Sequence, residues 1–254
     1  MEIADKHFLV TGSSRGIGRS IAEKLLTEGA RVGLVARSHA PLNETSNYFK
    51  NKFGEDRVDA WTFDLTKPEC VEELKVCILS KWNSLDGLIS NVGDGRSVPD
   101  PISTTEQWSS IWSQNFDSAL SVSRAFLPLL QANNGNIVYI SSICGVEALG
   151  APVDYSVAKS ALLSFSKNLA RKVAPDVRVN AVAPGNVLFE GSSWEEKIEN
   201  DSENVNSMIQ SCVPMKRFGK PEEIADSVVF LCSKRSAFTT GACLVVDGGQ
   251  TKSF

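Results

Sequence analysis

Thr11-Gly12-Ser13-Ser14-Arg15-Gly16-Ile17-Gly18 is the stretch of this 254-residue chain that decides its fold. It follows an apolar run at residues 7–10, which predicts a strand, and precedes a helical pattern over 16–28. A glycine-rich turn between strand and helix places a pyrophosphate at the N-terminus of the helix. Gly12 permits the sharp turn, Gly16 lets the backbone approach phosphate, and Gly18 lets the helix approach the strand. The turn therefore predicts a dinucleotide site, although its Gly-x3-Gly-x-Gly spacing differs from the common Gly-x-Gly-x-x-Gly.

Apolar strands and amphipathic helices alternate along the whole chain. We predict strands at 7–10, 31–36, 58–63, 85–90, 136–141, 177–183 and 242–246, and helices near 16–28, 41–53, 68–81, 105–131, 153–174 and 221–233. Near-continuous apolar strands separated by helices indicate a parallel sheet covered on both faces. The predicted fold class is α/β: a single domain, residues 1–254, with a Rossmann-type doubly wound sheet of about seven parallel strands and helices on both faces.

The composition excludes several classes of protein. The net charge is −4 and the charges are spread rather than blocked, so we expect no nucleic-acid or membrane partner. The chain has no 18-residue apolar run and no leader-like N-terminus. Its six cysteines form no CxxC pair and its two histidines are far apart, so we expect no disulfide framework and no metal site. Reduced thiols favour a cytoplasmic location.

The candidate catalytic residues are Ser142, Tyr155 and Lys159. Tyr155 and Lys159 are four apart in a predicted helix and therefore share one face. A free phenol titrates near pH ~10, and a cation held close to it favours the phenolate and lowers its pKa. Ser142 could polarise a substrate carbonyl that takes its proton from Tyr155. The three side chains predict proton transfer at an oxygen atom, a step that pairs with hydride transfer.

Taken together, these motifs make the chain resemble the short-chain dehydrogenase/reductase (SDR) family, and most closely its 3-oxoacyl-carrier-protein reductase-like members. The resemblance runs nearly end to end, from the turn at Thr11 to Val246-Asp247-Gly248-Gly249. Between these ends lie the family's motifs, in the family's order: Asp64-Leu65, Ser90-Asn91-Val92-Gly93, Asn115, Ser142, Tyr155-x3-Lys159 and Pro184-Gly185. Ser142, not its neighbour Ser141, has the family's thirteen-residue spacing to the tyrosine.

The resemblance implies roles for the remaining site residues. Asn115 would kink the central helix and hold a water next to Lys159, although an asparagine bonded to helix backbone is the plainer alternative. The other implied roles concern the dinucleotide. Its contacts would be Gly12, Ser14, Arg15, Gly16, Ile17 and Gly18 in the turn, Asp64 and Leu65 at the adenine, Asn91 and Gly93 at the adenosine ribose, Tyr155 and Lys159, and Pro184, Gly185 and Val187 at the nicotinamide.

Charge decides the expected cofactor. NAD enzymes place an acid at the end of the second strand, where it binds the ribose 2′-hydroxyl and repels a 2′-phosphate. Ala36 stands there in this chain, followed by Arg37, with Arg15 in the glycine turn. Two guanidinium groups can clamp a phosphate, so we predict NADP(H) rather than NAD(H). The alternative is that either arginine simply faces solvent.

Two departures from the family pattern concern cofactor contacts. Val92 replaces the alanine of the family's Asn-Asn-Ala-Gly. Phe189 replaces a threonine that often bonds the nicotinamide carboxamide, which could weaken cofactor affinity. Neither change affects the proton-transfer residues.

The acidic segment 185–215 corresponds to the part of the family that covers the substrate, and we predict that it is a lid. It carries Glu190, Glu195, Glu196, Glu199, Asp201 and Glu203 against Lys197. The segments 131–134 and 174–176, where carrier-protein reductases hold basic docking residues, have almost no positive charge. An acidic rim repels an acidic carrier protein. We therefore favour a small sugar-, polyol- or metabolite-like carbonyl or alcohol over the alternative, a 3-oxoacyl thioester. Arg96 could recruit a substrate anion, although a solvated loop arginine is the simpler interpretation.

Two further expectations come from the family. Some relatives bind a dinucleotide without catalysis and act as regulators, but such proteins typically lose the tyrosine or lysine that this chain retains. Family members usually form tetramers, so we expect a homo-oligomer, a tetramer or a dimer. The apolar face of helix 105–131 could supply a subunit contact.

Overall fold

A seven-stranded parallel sheet organises the protein. The computed structural model describes residues 1–96, 98 and 100–253. The strands are β1 (His7–Thr11), β2 (Arg31–Ala36), β3 (Val58–Thr62), β4 (Gly87–Ser90), β5 (Asn136–Ile140), β6 (Arg178–Pro184) and β7 (Cys243–Val246). Their order across the sheet is β3-β2-β1-β4-β5-β6-β7, and every neighbouring pair is parallel. The predicted fold class is confirmed.

Helices pack on both faces of this sheet. They are α1 (Gly16–Thr27), α2 (His39–Phe53), α3 (Pro68–Lys81), α4 (Thr105–Trp112), α5 (Ser118–Ala132), α6 (Val153–Val173), α7 (Ser193–Asn200), α8 (Ser202–Cys212) and α9 (Pro221–Cys232). One buried apolar cluster joins the sheet to α1, α2 and α9, and a second joins it to α3, α5 and α6. Among the described residues, no helix is both long and apolar enough to cross a membrane.

The strand order reverses between β1 and β4, and this reversal positions the site. The chain winds outward from β1 through β2 to β3, then returns to the other side of β1 with β4. The loops that follow β1 and β4 therefore leave the sheet in opposite directions and open a crevice at the carboxyl ends of the strands. Ligands of doubly wound folds bind in such a crevice.

The predicted helix over 105–131 is present, and it is interrupted at Asn115, where the family resemblance implied a kink. A wide π turn at Ser113–Asp117 separates α4 from α5. Asn115 in this turn donates a side-chain hydrogen bond to the Ile111 carbonyl, 3.0 Å away, and another to the Asp94 carbonyl outside the helix. A side chain that bonds helix carbonyls competes with the regular backbone ladder, which is a known cause of π turns and bends.

Segment 185–215 is more ordered than its polar composition indicated. It contains α7 and α8, which begin at the N-caps Ser192 and Asp201. The Ser192 hydroxyl accepts the Glu195 N–H at 3.2 Å, and the Asp201 carboxylate accepts the Asn204 N–H at 3.1 Å. Such caps satisfy backbone donors that the first helical turn leaves free.

Candidate active site

A cleft of about 510 Å³ opens at the carboxyl ends of the strands. Its volume lies in the range of small-molecule and cofactor sites. It brings together most of the residues predicted from the sequence: Gly12, Ser14, Arg15, Ile17, Arg37, Asp64, Leu65, Asn91, Gly93, Ser142, Tyr155, Lys159, Pro184, Gly185 and Val187. Gly16, Gly18 and Asn115 do not line the cleft but support residues that do. The predicted residues therefore converge on one site.

The glycine turn has the shape that a pyrophosphate requires. Gly12 and Gly16 have φ values of +63° and +54°, which L side chains rarely adopt. At Gly18, an added Cβ would lie 2.2 Å from the Gly12 carbonyl oxygen, so only glycine lets α1 approach the turn this closely. Asn91 braces the turn, because its Nδ2 donates to the Thr11 and Gly12 carbonyls at 3.1 Å each. The N-terminus of α1 faces the cleft, and the residues fit a dinucleotide.

The far end of the cleft contains the residues predicted to determine the preference for NADP(H) over NAD(H). Ala36 ends β2 and is 9% exposed, and Arg37 lies exposed at the rim. Asp64 accepts the Thr66 hydroxyl at 2.7 Å and the Thr66 N–H at 3.1 Å. Burial acts to raise the pKa of Asp64, but the Thr66 bonds and the charges of Lys67 and Arg37 hold it below its usual value. Asp64 therefore remains ionised near Arg37, a neighbouring acid that the sequence argument did not consider.

Ser142, Tyr155 and Lys159 meet on the substrate side of the cleft. Ser142 caps a short 3₁₀ turn after β5, and its hydroxyl accepts the Cys144 N–H at 3.1 Å. Its neighbour Ser141 is directed elsewhere, because that hydroxyl donates to the Lys159 carbonyl at 3.0 Å. Lys159 is 4% exposed, and its Nζ donates to the Ile140 carbonyl at 3.0 Å.

Burial and neighbouring groups shift the pKa of Tyr155. Burial raises the pKa of Tyr155 to about 12, and the nearby Ser142 hydroxyl offsets only part of that rise. Asp94 also raises the pKa of Tyr155, because its negative charge disfavours a phenolate. The Lys159 ammonium lies 5.8 Å from the centre of the Tyr155 ring, and burial lowers the pKa of Lys159 to about 8. The phenol therefore keeps its proton at neutral pH, and the expectation that Lys159 lowers its pKa stays a prediction.

Asn115 and Gly93 lie behind the lysine. Asn115 is fully buried; its Oδ1 accepts the Asp94 N–H at 3.2 Å, and its Nδ2 bonds two carbonyls, as the plainer alternative expected. A Cβ at Gly93 would lie 2.7 Å from Asn115 Oδ1 and 2.9 Å from Lys159 Nζ. Gly93 thus borders the catalytic lysine, whereas the sequence analysis assigned it to the adenosine ribose. A water at Asn115 stays a prediction.

Residues at the start of segment 185–215 lie directly on the glycine turn. The Phe189 ring packs against Gly16 so closely that a Cβ there would lie 2.4 Å from it. Arg15 Nη1 donates to the Gly191 carbonyl at 3.1 Å. Arg15 therefore contacts this segment in the structure, where the sequence analysis predicted only a phosphate. Trp194 of the same segment lines the cleft.

Arg96 follows neither of the alternatives considered for it. It forms ion pairs with Asp94 and Glu196, and its Nη2 also donates to the Gly191 carbonyl. Its charge is therefore balanced by two carboxylates, which argues against recruitment of a substrate anion. It is also not a freely solvated loop arginine.

Sequence reasoning missed several residues that shape the catalytic end. Asp154, 5% exposed, accepts the Ser103 hydroxyl at 2.8 Å and the Tyr155 N–H at 2.7 Å. Gly95 packs on the catalytic tyrosine, since a Cβ there would lie 3.5 Å from Tyr155 Cζ. Asp154 adjoins the tyrosine in sequence, which was a usable signal. The position of Gly95 depends on a loop conformation that no local pattern indicates.

This combination of a doubly wound sheet, a glycine-turn cleft and a Ser-Tyr-Lys group defines a dinucleotide-dependent oxidoreductase. The comparisons agree: residues 12–251 match the family described as Enoyl-(Acyl carrier protein) reductase. The chain belongs to the short-chain dehydrogenase/reductase family, and it is an enzyme of that family acting on carbonyl or alcohol groups.

Relatives and solved structures align over nearly the whole chain. A 3-oxoacyl-[acyl-carrier-protein] reductase of Vibrio cholerae is 34% identical over 252 residues, covering 98% of this chain and 99% of the relative. A tropinone reductase homolog of Arabidopsis thaliana is 35% identical, covering 98% and 93%. The crystal structure of L-sorbose reductase from Gluconobacter frateurii, complexed with NADPH and L-sorbose, has a TM-score of 0.93 and 35% identity and covers 99% of this chain and 98% of that one.

Proposed function

We propose that this enzyme is an NADP(H)-dependent reductase that interconverts a small polyhydroxylated or otherwise polar ketone or aldehyde and the corresponding alcohol. The observation that carries the proposal is the convergence of Ser142, Tyr155 and Lys159 at the substrate end of a dinucleotide-shaped cleft. A protonated phenol is the form that a carbonyl reduction needs, because the new alcohol oxygen must receive a proton.

The mechanism assigns one task to each catalytic side chain. When bound along the glycine turn, a nicotinamide dinucleotide supplies the hydride for reduction or accepts it in the reverse direction. The Ser142 hydroxyl donates a hydrogen bond to the substrate oxygen and stabilises the negative charge that develops there. Tyr155 donates its phenolic proton to that oxygen. The Lys159 ammonium, held by the Ile140 carbonyl, then stabilises the tyrosinate.

Preference for NADP(H) depends chiefly on Arg37. An uncharged Ala36 at the end of β2 leaves a 2′-phosphate unopposed there, and Arg37 can reach it from the exposed rim. Arg15 is a second candidate, although its contact with Gly191 must loosen before it can turn to a phosphate. The NADPH-bound sorbose reductase structure supports the same choice.

A small polar substrate fits the lining of the cleft. The catalytic end combines the Trp194 ring with the polar groups of Gln114, Ser193 and Asp94. An aromatic face with several hydrogen-bonding groups suits a polyol, whose C–H faces pack on rings while its hydroxyls bond polar side chains. The likeness to an enzyme crystallised with L-sorbose supports this class. The sequence similarity to 3-oxoacyl-[acyl-carrier-protein] reductases favours the second candidate, a 3-oxoacyl thioester.

The test is a screen for reduction of carbonyl compounds, in which turnover is monitored as the loss of absorbance of the reduced nicotinamide. Ketoses and other polar ketones are compared with acetoacetyl thioesters, each with NADPH and with NADH. We expect turnover of a polar ketone with NADPH and little with the thioesters. Higher kcat/KM for the thioesters would transfer the assignment to the second candidate, and no turnover of any carbonyl would contradict the proposal.

Cofactor choice has its own test. Arg37→Ala should weaken NADPH binding by about tenfold or more, the effect of losing one charge-assisted contact, and leave NADH binding unchanged. Arg171→Ala, at an exposed position of α6, is the matched control. If the substitution weakens the binding of NADPH and NADH equally, Arg37 does not bind the 2′-phosphate.

We further propose a homo-oligomer in the cytoplasm. Phe238 is fully exposed, Phe230 on α9 is also exposed, and Cys243 is exposed on β7, an edge strand of the sheet. Exposed apolar side chains of this size favour an interface with a second copy. Each of the six cysteines is a free thiol, which fits a reducing compartment. Sedimentation of the wild-type protein and Phe238→Asp tests the assembly, and an unchanged mass would contradict this interface.

A further inference from the structure

We propose that Arg96 is a positioning residue that holds the lid over the substrate end of the cleft. The lid is here residues 189–200, the segment that contacts the glycine turn and continues into α7. This inference rests on the proposed function, because it assigns the lid to the substrate of that same site.

The first support is the geometry of the Arg96 guanidinium. Its Nε lies 3.2 Å from each carboxylate oxygen of Glu196, and its Nη2 also donates to Glu196 Oε1. On its other edge, Nη1 donates to Asp94 Oδ1 at 3.3 Å. A planar fork that engages one carboxylate with two nitrogens fixes direction as well as distance. Arg96 therefore links the loop after β4 to helix α7.

The second support is the Gly191 carbonyl, which two arginines share. Arg96 Nη2 and Arg15 Nη1 each donate to it at 3.1 Å. The Gly191 N–H donates to Glu195 Oε2 at 2.6 Å, and φ at Gly191 is +74°. The lid turn is thus held from the cofactor side by Arg15 and from the catalytic side by Arg96. The two attachments can be removed separately.

The third support is the proximity of Arg96 to the catalytic tyrosine. The preceding residue, Gly95, packs on the Tyr155 ring, and Arg96 itself lines the cleft together with Trp194. An attachment at this place fixes the distance between Tyr155 and the lid. Loosening it should affect the substrate more than the cofactor, because Arg15 and Phe189 still hold the lid on the glycine turn.

Solvent exposure makes the attachment sensitive to salt. The Arg96 side chain is 38% exposed and the Glu196 side chain 52% exposed. Dissolved ions screen pairs with this exposure. A lid held by Arg96 should therefore loosen as salt concentration rises, and a variant without the pair should not respond.

The kinetic test compares Arg96→Ala, Glu196→Gln and the exchanged pair Arg96→Glu with Glu196→Arg. We expect Arg96→Ala to raise KM for the carbonyl substrate by about tenfold, because the substitution removes one charged hydrogen bond and one exposed ion pair that hold the lid. NADPH affinity should change less than twofold, and the exchanged pair should recover part of the loss. KM of the wild type should rise with salt while that of Arg96→Ala stays flat. Glu199→Gln is the control, an exposed lid acid on α7.

A second readout needs no turnover. Lys197 lies in α7, so trypsin cleavage after it reports how often the lid opens. Cleavage there should be faster in Arg96→Ala and Glu196→Gln than in the wild type and Glu199→Gln, and high salt should speed it only where the pair is intact. Equal cleavage in all variants would overturn the proposal. If no carbonyl is turned over but cleavage behaves as stated, the proposed function fails while the role of Arg96 stands.

Discussion

Gly18→Ala tests how closely α1 must approach the glycine turn. Alanine is about 1 kcal/mol better than glycine inside a helix, so without other effects the change would stabilise the protein. Here the new Cβ would lie 2.2 Å from the Gly12 carbonyl oxygen and 2.5 Å from Asn91 Nδ2. The helix and the turn would have to separate by roughly 1 Å to restore ordinary contacts, and such overpacking costs about 1–3 kcal/mol.

The displacement also breaks the bracing of the turn. Asn91 Nδ2 donates to the carbonyls of Thr11 and Gly12, and each lost bond costs about 1 kcal/mol. After subtraction of the helix gain, we expect a net loss of about 2–4 kcal/mol, which lowers Tm by roughly 4–16 °C for a chain of this size. NADPH affinity should fall by tenfold or more, because 1.4 kcal/mol already corresponds to a factor of ten.

Thermal unfolding at one fixed protein concentration and titration with NADPH measure the two effects. Gly219→Ala is the matched control, because its Cβ would meet its nearest neighbours at an ordinary 3.6 Å. If Gly18→Ala has the Tm and the NADPH affinity of the control, the close approach of helix and turn is not what shapes the site.

Three other perturbations address the catalytic end and the base of the sheet. Asp94→Asn should move the pH dependence of alcohol oxidation to lower pH, because Asp94 raises the pKa of Tyr155; an unmoved profile would contradict this. Gly93→Ala should reduce kcat by about tenfold to a hundredfold and also lower Tm, since its Cβ would displace the ammonium of Lys159 and the buried Oδ1 of Asn115; an unchanged kcat would count against that position. Burial lowers the pKa of His7, so the fold favours the neutral ring, and the unfolded chain takes up the proton first as pH falls below ~6.5. The free energy of unfolding should therefore decrease as pH falls through that range. In His7→Asn it should decrease less steeply, and urea titrations of both proteins at each pH measure the difference.

Much of the fold followed from patterns of local origin. Apolar strand runs and the glycine turn identified all seven strands, because a parallel sheet buried on both faces requires continuous apolar segments. The interruption of helix 105–131 was expected from the family resemblance and not from a local pattern. It depends on Asn115 bonding the Asp94 backbone, a contact between residues twenty-one positions apart.

The site shows the same division. Spacing and order indicated Ser142, Tyr155 and Lys159, whereas the pKa of the tyrosine depends on burial and on Asp94, which spacing does not reveal. The helices of segment 185–215 had a usable signal in the capping residues Ser192 and Asp201. The contacts of Arg15 and Arg96 with Gly191 had none, because they depend on where the lid turn lies in three dimensions.

The central claim is that Tyr155 protonates a carbonyl oxygen during reduction with NADPH. The most direct measurement is a single-turnover reduction of the best polar ketone by the wild type and by Tyr155→Phe, both saturated with NADPH, with NADPH binding measured for each. We expect Tyr155→Phe to bind NADPH within about threefold of the wild type but to reduce the ketone at least a hundredfold more slowly, the range for loss of a general acid. A Tyr155→Phe enzyme that binds NADPH and reduces the ketone as fast as the wild type would contradict it.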